Sequence, residues 1–254
     1  MRNEFFPSVS ESNAFGLQVF RTKISSIDTL FIEENFFAVN IDVIISRIDT
    51  QVQTSLFTLL KLIPHSYLAD TLVYYSCNIE HCEKNLLSDN IRIVKAGVEH
   101  RKTIEYLITT IFIGYKNHYH SNPLFSSVDL AKGYLEWNLP FLNDPDKMCL
   151  ILFDNDIPCA FLTAKIYADE GFADIILNGV LKEYEGQGKY SFLLRELKCI
   201  MSESNISKLI VSTQLTNQRV QKVWSKENFV LDKSYYTFHH FISENSIQKL
   251  NKAS

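Results

Sequence analysis

Leu177-Asn-Gly-Val-Leu-Lys-Glu-Tyr-Glu-Gly-Gln-Gly-Lys-Tyr-Ser-Phe-Leu-Leu194 carries three of the chain's eight glycines within ten residues, Gly179 to Gly188. An apolar run from Ile175 to Leu181 leads into Gly186-Gln187-Gly188, and an amphipathic segment from Tyr190 to Met201 follows. That order reads as strand, tight glycine turn, helix. Glycine takes φ > 0 without strain and presents no Cβ to an approaching ligand. Unpaired N–H groups at the start of a helix, together with its dipole, make a seat for phosphate. The stretch therefore predicts an anion-binding turn near residue 186, with a purely structural turn as the other reading.

The flanking sequence narrows the fold. Phe15–Ile24 and Phe37–Ile48 read as strands, Gln53–Ile63 as a helix stopped by Pro64, and Tyr67–Cys77 as a strand. The polar segment Asn78–Asn90 reads as a connection, which places a boundary near 88: residues 1–88 form one domain and 89–254 a second. Ile91–Val94 opens the second as a strand. Helices are predicted over Val98–Tyr115 and Ser127–Trp137, and hairpins join Cys149–Phe153, Ala160–Ile166 and Ala173–Leu181. After the glycine turn come a helix, a strand at Leu209–Thr213, a helix over Asn217–Lys226 and a strand pair ending at Tyr235–Phe241. This is an α/β chain of the α+β type with a mixed sheet. Hairpins before a single βα crossover do not match a doubly wound dinucleotide fold, and the turn is not a P-loop.

With 254 residues, 46% apolar and 21% charged, the chain is long enough for a substantial core. A net charge of −4 gives no general attraction to nucleic acid or to an acidic membrane, so an anionic ligand would need local donors. The first residues lack the pattern of a signal peptide, and Leu107–Tyr115 is too short to span a bilayer. Five cysteines without framework spacing suit a reduced, cytoplasmic setting. Cys77, His81 and Cys82 lack an evident fourth ligand and read as loop residues, so no metal is expected.

Two motifs one strand apart carry a family resemblance. The first is Glu185-Gly-Gln-Gly188-Lys-Tyr190, and the second runs Asn217-Gln-Arg-Val220, Val223-Trp224, Asn228-Phe229. They resemble the acyl-CoA-binding half of the GNAT N-acyltransferases, over residues 91–241. The family turn reads R/Q-x-x-G-x-G/A, so Gly188 matches while Glu185 and Tyr190 depart. Further stretches in the same order are Asn13-Ala-Phe-Gly-Leu-Gln-Val-Phe-Arg21, Ala69-Asp-Thr-Leu-Val-Tyr74, His118-Tyr-His-Ser-Asn-Pro-Leu124, Ser212-Thr-Gln-Leu-Thr-Asn217 and Tyr236-Thr-Phe-His239. These are similar to the bacterial nucleotide-sugar N-acetyltransferases of the dTDP-fucosamine type. That resemblance implies a GNAT fold with a smaller, partial-GNAT N-terminal domain. It implies acyl-CoA as co-substrate, a dTDP-amino sugar as partner and a role in surface-polysaccharide synthesis, with a homodimer admitted as the assembly.

The resemblance also implies a site. The strand before the turn splays from its neighbour, and Val180 and Leu181 present amides to the pantetheine arm. Amides of Gly186, Gln187, Gly188, Lys189, Tyr190 and Ser191 hold the pyrophosphate, with charge added by Lys189. Asn217 caps the last helix and meets the pantetheine, and Val220 and Trp224 complete the cofactor side. Trp224 stands where many members have the tyrosine that protonates the leaving thiolate. An indole N–H donates a hydrogen bond but does not transfer its proton at neutral pH. Tyr119, Tyr235 or Tyr236 would then serve, or none. On the acceptor side, an imidazole with a pKa of about 6.5 suits taking a proton from the amine, which points to His120, with His118 on the same face. Asn178, Thr213 and Gln214 line the acceptor cleft. Arg219, Lys222 and Lys226 face either the 3′-phosphate or solvent. Other acceptors (a protein N-terminus, a polyamine) and a non-catalytic CoA-binding module are the rival readings.

Overall fold

A computed structural model describes residues 4–24, 29–36, 40–63, 65–79, 87–122, 125 and 130–242. Among the described residues ten strands form one mixed sheet. They are β1 (Glu4–Pro7), β2 (Val19–Ile24), β3 (Val43–Asp49), β4 (Ser66–Asn78), β5 (Ile91–Lys95), β6 (Lys147–Asp154), β7 (Ile157–Tyr167), β8 (Phe172–Val180), β9 (Lys208–Gln214) and β10 (Val230–Phe241). Their order across the sheet is β1-β2-β3-β10-β4-β9-β8-β7-β6-β5. The last strand in sequence thus lies between β3 and β4, antiparallel to both.

Among the described residues seven α-helices cover the two faces: α1 (Val9–Phe15), α2 (Thr29–Phe36), α3 (Gln53–Leu62), α4 (Arg101–Ile111), α5 (Leu130–Asn138), α6 (Lys189–Glu203) and α7 (Gln218–Lys226). Helix α6 buries Tyr190, Leu193, Leu194, Leu197 and Met201, the one-face spacing of a 3.6-residue period, beside Leu162, Ala164 and Ile175 of the strands. Complete burial of a leucine such as Leu197 stabilises by roughly 1.5–3 kcal/mol. The other face over β6–β8 is covered by α4, where Ile104, Leu107 and Ile108 meet Phe161 and Leu177. Gly179 permits that contact: a Cβ there would lie 2.6 Å from Ile111 Cγ2.

Several boundaries move from their sequence-based positions. Phe15 ends a helix, because Ser8 opens α1 and Gly16 closes it at φ 65°, and the strand starts only at Val19. The strand expected from Phe37 starts at Val43, after α2, with residues 37–39 outside the described set. Helix α4 stops at Ile111, and Gly114 turns the chain at φ 69°. The expected final strand pair is a single strand of 12 residues, bent by irregularities at Leu231/Lys233 and Thr237/Phe238. Pro64, His81, Cys82, Pro123 and residues 126–129 lie outside the described residues. Cys77, Cys149 and Cys159 are buried thiols, whereas Cys199 is disulfide-bonded, contrary to the fully reduced set expected. Among the described residues no helix is long and apolar enough to cross a membrane, and no cluster of His, Cys, Asp and Glu could hold a metal.

Candidate active site

The sheet opens between β8 and β9. Strands β8 and β9 run parallel and pair from Phe172/Lys208 to Ile175/Val211, and there the ladder ends. Past that point β8 stays with β7 as far as Val180/Ala160, and β9 stays with β4 as far as Gln214/Leu72. Residues 176–180 and 212–214 therefore flank a wedge. Its apex coincides with a bulge, since Ala164 faces Ile175 but Thr163 faces Leu177, leaving Ile176 extra. The fully buried Thr163 hydroxyl accepts the Leu177 N–H at 3.1 Å and lies 2.9 Å from Asn138 Oδ1.

Alternation along β8 decides which amides reach the wedge. Leu177 N donates toward β7, and so does Leu181 N, to Cys159 O at 2.8 Å. Asn178 and Val180 then point their amides the other way. Leu181, expected to present a free amide, has it taken by Cys159.

The glycine turn closes the wide end of the wedge. Gly186 and Gly188 have φ of 78° and 76°, and Gly188 is the N-cap of α6. Among the described residues the amides of Gly186, Gln187, Gly188, Lys189, Tyr190 and Ser191 donate to no protein group, and Phe192 is the first to bond back, to Gly188 O. This is a nest of donors at a helix N-terminus. The Lys189 side chain does not add its charge, because its Nζ is buried and paired with Asp154 Oδ2. Arg219 takes that place: its Nη2 lies 3.8 Å from where a Cβ of Gly186 would stand, and its Nη1 pairs with Glu185. Glu185, a departure from the motif, holds this arginine at the turn.

Asn217 caps α7, its Oδ1 accepting from Val220 N and its Nδ2 donating to Thr213 Oγ1 at 3.1 Å. Val220 packs against the core at the foot of α7. Trp224 is 1% exposed, inside that core, and donates Nε1–H to the Tyr190 hydroxyl at 2.9 Å. The ring thus supports α6 against α7 and offers no surface to a cofactor, which corrects the contact expected of it.

The acceptor-side residues separate. Tyr119, a candidate proton donor, is buried, and its hydroxyl donates to Glu11 while accepting from Arg21 at 3.0 Å. Burial and the Glu11 charge push its pKa up, with the Arg21 charge opposing them. Tyr119 therefore joins α1 and β2 to the segment after α4, with its hydroxyl proton committed to Glu11. Tyr235 is also buried, with Tyr74 and Lys23 against its ring. His118 Nδ1 lies 2.9 Å from Nε2 of the fully buried His239, whose Nδ1 is 3.2 Å from Asn122 Nδ2. If the Asn122 amide donates, His239 donates in turn and His118 carries its proton on Nε2, a donor and not a base. Burial lowers the pKa of both rings, that of His239 to about 3. His120 Nδ1 accepts from Asn117 N at 3.3 Å. Gln214 receives the Tyr115 hydroxyl at 3.3 Å. Asn178 and Thr213 alternate onto the α6/α7 face and Gln214 onto the opposite one, so the wedge separates a turn side from a histidine and tyrosine side.

Residues 114–229 match the model of the acetyltransferase (GNAT) family. No curated protein matches the chain. A GCN5-related N-acetyltransferase from Kribbella flavida superposes with a TM-score of 0.63 at 10% identity, over 94% of this chain and 89% of that one. A functionally unknown conserved protein from Staphylococcus epidermidis gives 0.62 at 10% identity, over 92% and 89%. A tandem GNAT protein from the clavulanic acid biosynthesis pathway gives 0.55 at 7% identity, over 80% and 65%. The chain has the mixed α/β fold of the GNAT acyltransferases.

Proposed function

We propose that the chain transfers an acyl group from acyl-CoA to the amine of a dTDP-linked amino-dideoxyhexose. The observation that carries the acyl-CoA half is the end of the β8–β9 ladder at Ile175/Val211, beside a turn with six backbone amides that donate to no group among the described residues. An extended pantetheine arm fits the wedge as a strand would, bonding Val180, with Asn217 beside it. The pyrophosphate rests on the amides from Gly186 to Ser191, with Arg219 at hand. The Val180 amide then also faces the oxyanion that forms at the thioester carbonyl.

The nucleotide half rests on the acceptor face of the sheet. Lys23, Arg47, Lys165 and Lys233 all act on the half-buried Asp174 carboxyl. Lys23 lies 5.1 Å from the Tyr235 ring and Lys233 lies 5.6 Å from the Tyr74 ring. A basic, aromatic surface suits a nucleoside diphosphate better than a polyamine. On this reading residues 1–88 form a partial unit completing the sheet of the domain 89–254, and His118 and His120 stand on the acceptor side.

Calorimetry with CoA tests the donor half, and melting curves test the acceptor. A dTDP-amino sugar at millimolar concentration raises the melting temperature, because it binds only the folded chain. A shift with spermidine and none with the nucleotide sugar would favour a polyamine acceptor. CoA binding without acyl transfer to any amine would leave a binding module.

A further inference from the structure

On the face of the sheet away from α6 and α7, a second polar group surrounds the end of β9. Tyr115 donates to Gln214, and Asn117 Nδ2 donates to the Tyr134 hydroxyl at 3.0 Å. Asp70 of β4 belongs to this group: it stands opposite Thr237 of β10, and Leu72, two residues on, stands opposite Gln214. Its Oδ1 is shut off from water and has no hydrogen-bond partner. A buried polar atom left unpaired costs roughly 1–3 kcal/mol, and more when charged. The cation across β10, Arg47 of β3, stands opposite the same Thr237, directs Nη1 to the Tyr74 hydroxyl at 3.0 Å and leaves its own Nε unpaired.

We infer that Asp70 is the seat of the acceptor amine: its carboxylate pairs with the incoming ammonium and takes the first proton. The inference rests on the acyl-transfer reading and deepens it. An alkylammonium is a compact cation with three N–H donors, which is what an unpaired carboxylate oxygen beside a glutamine carbonyl and two phenols lacks. Gln214 borders both this group and the β8–β9 wedge, so an amine held here lies toward the thioester. One ammonium proton passes to Asp70, leaving a neutral amine. Its lone pair forms the C–N bond at the thioester carbonyl as the C=O pair moves to oxygen. Collapse restores the carbonyl and breaks the C–S bond, with the electron pair leaving on sulfur. The second N–H proton ends on sulfur as the CoA thiol, and the proton on Asp70 returns to water. The titratable groups facing Asp70 are Arg47, Tyr115 and Tyr134. Burial raises its pKa while hydrogen bonds from Thr237 and Gln214 and the Arg47 charge hold it down. Burial raises both tyrosines, Tyr115 to about 12, so they remain neutral donors.

The test is steady-state transfer from acetyl-CoA to a dTDP-4-amino-dideoxyhexose, spermidine and an alanyl peptide, as a function of pH. In Asp70→Asn, kcat/KM for the best acceptor falls by about 100-fold or more and its acid limb disappears. CoA affinity, read by calorimetry, stays within about twofold. Asp70→Glu restores the charge and part of the rate, so a lesion that is only a folding defect is recognised by its absence of rescue and overturns the assignment. His120→Asn keeps the acid limb. A folded Asp70→Asn enzyme with wild-type kcat/KM, or a limb that survives in it and vanishes in His120→Asn, overturns the assignment as well. So does a wild-type protein that binds CoA yet acylates none of the three amines, whereas failure to bind CoA defeats the acyl-transfer reading itself.

Discussion

The hydroxyl of Thr163 lies 3.1 Å from both the amide nitrogen and the carbonyl oxygen of Leu177, replacing with a side chain the ladder bond that the bulge at Ile176 removes. Thr163→Val keeps the shape and strands the buried Leu177 amide, a loss of about 1–3 kcal/mol. Because the bulge sets where β8 leaves β9, CoA affinity falls too, while Thr163→Ser retains both. Urea unfolding and CoA calorimetry on the two variants check this. Equal CoA affinity in the valine variant would detach the bulge from the wedge.

Gly188 has nothing within 4 Å of the position a Cβ would take, so a large side chain there projects into the space before α6. Its φ of 76° adds roughly 1–2 kcal/mol of strain for any other residue. Gly188→Trp should therefore fold with a lowered melting temperature and lose CoA affinity by about tenfold or more, the equivalent of 1.4 kcal/mol. Unchanged affinity in the folded variant removes the phosphate seat.

Tyr119→Phe separates scaffold from chemistry. The Glu11–Arg21 pair, held by two bonds of 2.6 and 2.7 Å, persists without the phenol. Turnover then stays near wild type, and stability drops by about 1 kcal/mol for the lost hydrogen bonds. A collapse of kcat at unchanged stability would return Tyr119 to the reaction.

Trp224→Phe retains an apolar ring in the core but removes the N–H that meets the Tyr190 hydroxyl. A modest loss of stability, with kcat lowered only slightly, follows if the indole does nothing but pack. A fall in kcat beyond about tenfold, with CoA affinity intact, would show that the indole and phenol together serve the leaving sulfur.

What was legible in the sequence depended on range. The Gly186–Gly188 turn, the helix after it and the Asn217 cap are local devices written in consecutive residues, and each lies where its pattern indicated. Ser8 and Gly16 also mark α1 locally, but the apolar residues from Phe15 onward read equally well as strand. The partners of Lys189, Trp224 and Tyr119 come from 35, 34 and 108 residues away, so nothing beside them in the sequence announced that their polar atoms were occupied. Asp70 was unreadable for the same reason. Within Ala69-Asp-Thr it is one acid on a strand, and its importance appears only when β9 and β10 are laid on either side of it.

His239 and His240 are both fully buried, with pKa values lowered to about 3 by burial. His240 is held by Ser46 and Ser66 hydroxyls, each at 2.7 Å, and His239 by His118 and Asn122, with Glu11 raising and Arg21 lowering its affinity for a proton. An exposed imidazole titrates near about 6.5, so between that pH and the folded values the unfolded chain binds more protons. The stability gained by keeping both rings neutral is fully present above about pH 6.5 and is lost as pH falls toward 3. Each ring accounts for about 1.4 kcal/mol per pH unit well below 6.5. Asp174, whose carboxyl burial pushes up to about 6, acts in the opposite sense over part of this range and reduces the net slope. His118, whose pKa burial also lowers, acts in the same sense as His239 and His240. Denaturant unfolding from pH 7 to pH 5 should show stability falling, and His240→Gln should remove about a third of the histidine share of that slope. Identical slopes in the two proteins would mean that His240 takes up its proton without unfolding, through a local opening at Ser46 and Ser66.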